Sequence, residues 1–542
     1  MAPPRLKLAK KNTNSKLVDV GDYLEVGDSH EEAMRKHRGG DPAKALRFAD
    51  RALDVYSQGL AKFPRNFDLA YNKARLELEK ATDSILSQAL DVPVISVLQQ
   101  ALGSHRYARD LEPTHTDTQF NMAQVLTAMA ETIAEGYEDH DLEALHNIEQ
   151  ALEIQGHCFQ LQQAAFTKNR LEFEQAMQQT AEDQTSHIDG GQAPADTVSG
   201  AQNASQEEQW VSIEEPITAE TLLDTIIAQL EALSVLCSIA SSSLAVSPES
   251  GNVSVMTLTW VDSYSTKVLM ETLPTLINEN RDILEPRLSD VMLSKAVFTG
   301  NYLELSLRLF IIDVDRYKQG LDAAFAQREL DTNSEEVLMA GARALFSFNS
   351  ALFDLANANE TGPSPEAHAA LRWKLLVQAQ SRLAAVANLP NTDKHTVAVT
   401  HVLRGDASLC LQMLAYPPAA FPQARTTAQQ LLTHAEVYYR NASKLFGTLG
   451  RSASEDKSVC ELKGAVVSVL KQVTTSQEAA GSSSGQDNSG STIGTSASPD
   501  QIERALGPII KVQGEKWVRD YMESMIDEGL ILPEVFSAVL RG

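Results

Sequence analysis

The chain has 542 residues, enough for three or four domains or one extended repeat array, and 43% of them are apolar, near the globular range. Its 46 Lys plus Arg against 72 Asp plus Glu leave a net charge of −26, which argues against a nucleic-acid binder held by phosphate contacts. Four scattered cysteines, Cys158, Cys237, Cys410 and Cys460, without a C-x-x-C pair suggest neither a disulfide framework nor a zinc cluster, and fit a reducing cytoplasm or nucleus.

Residues 1–28 read as a disordered basic arm in which Arg5, Lys7, Lys10, Lys11 and Lys16 precede the first acid, Asp19. No apolar stretch follows the basic run, so it does not have the pattern of a secretory signal. From residue 29 to 180 the periodicity is helical, with abundant Ala, Leu, Gln and Glu. Residues 181–212 and 475–500 are rich in Gly, Ser, Gln and Asn, bury too little to offset the entropy of ordering, and read as flexible linkers. Between them, 213–474 reads as a second helical block. Its most apolar window, Ala232 to Pro248, is broken by six serines and falls short of a membrane span. Val253 to Val261 is the one strand-like run, and with nothing to pair with it is expected to start a helix. The four N-x-[ST] matches, at Asn203, Asn252, Asn359 and Asn441, are expected to be chance.

Further helices are expected over Glu366 to Ala387, His395 to Met413, Pro422 to Phe446 and Val459 to Gln472, with loops at Asn357 to Pro365 and Gly447 to Asp456. Residues 501–542 hold two apolar stripes. Trp517, Val518, Tyr521, Met522, Met525 and Ile526 form the first, and Val535, Phe536, Val539 and Leu540 the second, after Pro533. Such stripes need cover, so the segment is read as a cap on the preceding helices or as a partner-binding motif.

An internal pattern recurs in the first block. Ala45-Leu46 is followed seven residues on by Ala52-Leu53, Ala101-Leu102 by Ala108, and Ala144-Leu145 by Ala151-Leu152. Residues seven apart share one helix face, where alanine lets a second backbone approach closely. Pro113 follows Ala108, Pro64 follows the first alanine pair, and Gly40-Asp41 precedes Pro42 as a turn would. After the prolines come Leu69-Ala70-Tyr71-Asn72-Lys73-Ala74 and Phe120-Asn121-Met122-Ala123-Gln124.

These residues resemble the tetratricopeptide repeat family, whose helix-turn-helix units carry small residues in the second helix and a closing proline. The units here lie 56 and 43 residues apart, from Ala45 to Ala101 and from Ala101 to Ala144, so the helices are longer than the family standard. A weaker echo follows: Gly300-Asn301-Tyr302 as an inter-helix turn, Leu305, Leu309 and Ile312 on one face, and Leu330 to Ser334 opening a helix over Val337 to Leu352. The resemblance implies an all-α solenoid of stacked hairpins with long helices and two flexible linkers. It also implies a concave groove lined by the first helices, to which Tyr71, Asn72, Phe120, Asn121 and Gln124 would contribute. The family's chaperone-binding carboxylate clamp is largely missing, because His30 and Met34 stand where its first Lys and Asn would be, and only Asn72 matches.

No P-loop, dinucleotide glycine motif, H-E-x-x-H or G-x-S-x-G is present. His140, His146, Glu138, Asp139 and Asp141 are the densest set of metal-ligand types, read here as solvated loop residues. His157 and Cys158 are adjacent on a helix and point about 100° apart, so they are not a dyad. The expectation is therefore a protein-protein scaffold or adaptor in cytoplasm or nucleus. It is expected to have no cofactor, metal, nucleic acid or membrane among its ligands; its acidity is read first as maintaining solubility, with a chaperone for a basic client as the sharper alternative. The acidic residues read as dispersed over solvated helix faces, without a run of like charges. The runner-up is an all-helical enzyme or regulatory subunit without a recognisable motif, and a third reading is a co-chaperone.

Overall fold

The computed structural model describes residues 17–136, 140–186, 216–246, 251–358, 365–450, 453–481 and 499–533. Among them there is no strand, so the described part of the chain is all-helical, as the periodicity indicates. In chain order the helices begin with α1 (Val20–His37), α2 (Pro42–Lys62), α3 (Phe67–Thr82), α4 (Val94–Leu111), α5 (Thr116–Gly136), α6 (Asp141–Ser186) and α7 (Ala219–Val246). Then come α8 (Gly251–Lys267), α9 (Leu273–Glu279), α10 (Arg281–Leu284), α11 (Leu288–Arg308), α12 (Val314–Ala324) and α13 (Glu335–Ala358). The last are α14 (Pro365–Ala387), α15 (Lys394–Met413), α16 (Pro422–Leu449), α17 (Ser454–Gly481), α18 (Pro499–Gln513) and α19 (Glu515–Asp527).

Helix starts follow the side chains that can satisfy orphan backbone N–H groups. Asp19, Asp41, Asn66, Asp313 and Asp393 each cap the helix that follows them. Asp19 and Asp22 form a reciprocal capping box, so α1 begins at Val20 and buries Tyr23 and Gly27. The disordered arm expected over 1–28 is corrected for residues 20–28; the basic residues up to Lys16 lie outside the described part. Helix also continues past both expected linker starts, to Ser186 and Gly481, and α18 starts at Pro499; the remainder of both segments, 187–212 and 482–498, lies outside the described residues. Val253 to Val261 lies within α8, and the four C-terminal-block helices expected from periodicity correspond to α14, α15, α16 and α17.

The chain divides into two compact units, and the division is not the expected one at the first linker. The first unit is residues 1–232 with 266–286, and the second is 233–265 with 287–542. Linker composition marks where a chain buries nothing; it does not mark where packing resumes in another body. Leu222, Leu223, Ile226 and Leu230 of α7 are buried in the first unit, where the Thr225 hydroxyl donates to Gln162 Oε1 of α6 at 2.7 Å. Among the described residues α7 is the one helix long and apolar enough to cross a bilayer, and 72% of that apolar window is buried in the protein. The serine-broken window Ala232 to Pro248 therefore understated the apolar helix, which starts thirteen residues earlier, at Ala219.

In the first unit, successive helices pack as pairs from α1 to α6, and α3 also touches α1 and α5. Ala45, Ala52, Ala101, Ala108, Ala144 and Ala151 all have zero exposure, so each small residue of the recurrent pattern sits where backbones approach. Gly27 and Gly59 serve the same end, with the Tyr56 ring lying on Gly27 and the Tyr23 and Leu69 side chains on Gly59.

In the second unit, α11 packs on both α12 and α13, and from α13 to α19 each helix packs on the next. Gly300-Asn301-Tyr302 is not a turn: it lies inside α11, with Gly300 buried, Asn301 donating to Ser234 O at 3.2 Å and Tyr302 to Asp262 Oδ1 at 3.1 Å. Tertiary packing overrides the local turn preference of those residues. The turn comes after Leu309, so Leu305 is helical and buried while Ile312 lies past the bend. Ser334 does open the next helix, its Oγ accepting from Val337 N at 3.1 Å. The first C-terminal stripe is covered: Val518, Met522 and Met525 of α19 join one core with Leu432 of α16 and Leu462 and Val466 of α17. The second stripe, Val535 to Leu540, lies outside the described residues.

Candidate protein-binding cleft

On α5, residues 117, 120, 124, 131 and 135 recur at three-, four- and seven-residue spacings and so form one stripe: Asp117, Phe120, Gln124, Glu131 and Glu135. On α7 the corresponding stripe is Thr221, Asp224, Ile227, Ala228 and Glu231. Helix α6 sets α7 in place, through the Thr225–Gln162 side-chain bond and through Gln229 Nε2 donating to the backbone carbonyl of Gln155 at 3.4 Å. Between the stripes lies an open cleft of about 450 Å³, lined by Asp117, Phe120, Gln124, Asp224, Ile227 and Glu231 among others. Apolar floor and carboxylate rim together suit a long side chain with a charged tip.

The carboxylates feel one another. Burial, then Glu135, then Glu231 push the Glu131 carboxyl above its ordinary value, and burial does the same to Glu231. Beside them Tyr71 of α3 has its hydroxyl pushed up by burial and then by Asp117. An arriving cation would relieve this repulsion.

Of the expected groove residues, Tyr71, Phe120, Asn121 and Gln124 share this region. Asn121 Nδ2 donates to the Tyr71 hydroxyl at 3.4 Å, and Tyr71 stacks on Phe67 at 5.7 Å and meets His115 edge-on at 5.1 Å. Phe120 and Gln124 line the cleft itself. Asn72 instead turns its amide back to Asp68 O on its own helix, at 2.8 Å, and makes no hydrogen bond with the other four. The sequence reading missed Asp117, Asp224 and Glu231. The α5 stripe was available from its spacing, whereas the α7 half lies about a hundred residues away with no repeat register to tie it in.

The acidity is also less dispersed than expected. Residues 111–280 hold three Lys or Arg against 27 Asp or Glu, a net −24 of the total −26.

Other candidate chemistry disperses in the structure. His140 pairs with Glu143 at 3.4 Å, His146 with Gln150 at 2.7 Å, and Glu138 and Asp139 lie outside the described residues. No group of three or more metal-ligating side chains occurs among the described residues. His157 Nδ1 lies 2.8 Å from Gln119 Oε1, while Cys158 donates to Thr116 O at 3.4 Å, so the two engage different partners. All four cysteines are free and buried, and burial pushes the Cys158, Cys410 and Cys460 thiols up to about 12.

No family model matches the chain. Over 185 residues, 34% of this chain, it is 32% identical to a UPF0656 protein of Schizosaccharomyces pombe. The aligned stretch spans about two fifths of that protein's length, 39%.

Proposed function

We propose that the chain is a protein-interaction scaffold of tetratricopeptide-like hairpins, stacked as a solenoid within each unit, and that its α5–α7 cleft receives a basic segment of a client, as in an assembly chaperone. The buried alanines, the capped helix starts and the next-but-one contacts of α1 with α3 and α3 with α5 support the stacking. The observation that carries the binding role is the juxtaposition of Asp117, Asp224 and Glu231 around an apolar floor in the most acidic part of the chain. Carboxylates arranged this way raise the encounter rate of a basic segment and shield it from other anions, while Phe120 and Ile227 give its aliphatic stems a surface.

The test is fluorescence anisotropy of a labelled eight-residue polylysine peptide with the full chain. Neutralising the rim together, with Asp117→Asn, Asp224→Asn and Glu231→Gln, is expected to weaken binding by about tenfold, since three exposed charge pairs at about 0.5 kcal/mol each contribute about 1.5 kcal/mol between them. Affinity is expected to rise with pH as Glu131 and Glu231 ionise, at values above the ordinary 4.5. Equal affinity of the triple variant and the native chain would remove the cleft from the function.

A further inference from the structure

The second unit has the opposite electrostatic character in one stretch. Residues 365–481, which carry α14 to α17, hold 12 Lys or Arg against eight Asp or Glu. Most partly buried cations of the unit have a carboxylate: Arg308 meets Asp354 at 2.7 Å, Lys463 meets Asp406 at 2.8 Å and Lys471 meets Glu436 at 2.6 Å. Among the described residues Arg404 of α15 has none. Its guanidinium lies over the Tyr438 ring of α16, 4.4 Å from the centroid, and its Nη2 donates to the Tyr438 hydroxyl at 2.8 Å. Arg372 also has only neutral partners, but at 6% exposure it is sealed from any ligand.

Two imidazoles complete the arrangement around the same ring. His401 stacks on Tyr438 at 6.0 Å and His434 lies tilted against it at 6.3 Å. His401 and Arg404 are half-buried and His434 is exposed. His401 Nδ1 and Arg404 Nε are buried without a hydrogen-bond partner among the described residues. Unpaired buried polar atoms call for an explanation, and here they belong to a guanidinium with no carboxylate beside it among the described residues and to the imidazole next to it. Arg404 Nη1 is left as the open arm of the fork. We propose that Arg404, His401, His434 and Tyr438 form a receptor for a single carboxylate, supplied by an Asp or Glu side chain of an acidic protein segment.

The charge selects a carboxylate over a phosphate. Burial, then Arg404, push the His401 imidazole below its ordinary value, toward the neutral ring, so near neutral pH Arg404 supplies the fixed positive charge at the buried side of the site. One such charge matches a monoanion, whereas a phosphate near neutral pH carries about −1.5 to −2 and needs more cationic partners. The site lies in the second unit and shares no residue with the α5–α7 cleft, so a protein presenting both would engage segments of opposite charge.

The experiment uses the full chain with a labelled eight-residue polyglutamate peptide at about 150 mM salt, where long-range repulsion from the acidic surface is screened within about 8 Å. Arg404→Gln is expected to weaken polyglutamate binding at least about tenfold, and Arg404→Lys, which keeps the charge and loses the planar fork, several-fold. Tyr438→Phe keeps the ring under the guanidinium and removes only the hydroxyl, so it reports on the site even if Arg404→Gln fails to fold; a loss of about threefold is expected. Polylysine binding should be unchanged in all three. The proposal is overturned if the native chain does not bind polyglutamate, if the variants bind it as the native chain does, or if inorganic phosphate displaces it at concentrations where acetate does not.

Discussion

Gly27 and Gly103 both lie inside helices of the first unit, yet the same substitution should move stability in opposite directions at the two positions. An alanine at Gly27 would place its Cβ 2.5 Å from Cζ and 2.8 Å from the hydroxyl oxygen of Tyr56. Tyr56 is 2% exposed and its hydroxyl donates to the buried Glu31 carboxylate at 2.7 Å, so the ring cannot swing aside. Relieving the clash takes a shift of an ångström or more, at the upper end of overpacking costs, about 3 kcal/mol. Replacing a mid-helix glycine gains about 1 kcal/mol in propensity, leaving Gly27→Ala destabilising by about 2 kcal/mol. At Gly103 nothing lies within 4 Å of the added methyl, so Gly103→Ala keeps the gain of about 1 kcal/mol. For a unit of this size each kcal/mol moves the melting point by about 2–4 °C, so differential scanning calorimetry should place Gly27→Ala about 5 °C below and Gly103→Ala about 3 °C above the native chain in the first unit's transition. Combining Gly27→Ala with Tyr56→Ala should cost less than the two changes added. A Gly27→Ala protein that melts at or above the native temperature would refute the close packing of α1 on α2.

The second unit contains a comparable device, with Tyr439 on Gly405 and its hydroxyl donating to Asp406 at 2.7 Å, where Lys463 also binds. Lys463→Met leaves Asp406 buried with one donor and should cost about 3–5 kcal/mol in chemical denaturation. It should also speed proteolysis around α19, because Lys463 reaches Glu528 at 3.8 Å. Asp393 caps α15 through Thr396 and the N–H groups of His395 and Thr396, contacts that hold its carboxyl below the ordinary 3.8 despite some opposing burial. A depressed folded value means that its contribution is present above the unfolded value and fades as pH falls through the folded one. Asp393→Ala should therefore cost about 1 kcal/mol at neutral pH, and the gap from the native chain should narrow in urea melts carried out progressively below pH 4.

The helical class and most helix positions in the second block were legible because periodicity and caps are local signals. The alanine pairs were legible for the same reason: a residue that must be small at seven-residue spacing leaves a pattern, and all six sit at zero exposure. Gly300-Asn301-Tyr302 misled because its turn-forming composition serves packing inside α11, a decision made by distant Ser234 and Asp262. The unit boundary was hidden because α7 contributes residues to both bodies. The candidate cleft was half visible. Phe120 and Gln124 could be placed from α5, but Asp224 and Glu231 approach them across a segment of no regular pattern, and only folding brings those carboxylates to Asp117.

The most direct measurement is zero-length carbodiimide cross-linking of the full chain to the polylysine peptide, with the joined residues mapped by mass spectrometry. Binding in the α5–α7 cleft predicts that Asp117, Asp224 and Glu231 carry the cross-links and lose them when unlabelled peptide is added in excess. Cross-links scattered over acidic residues of both units in proportion to their exposure, with those three no more reactive than the rest, would contradict it.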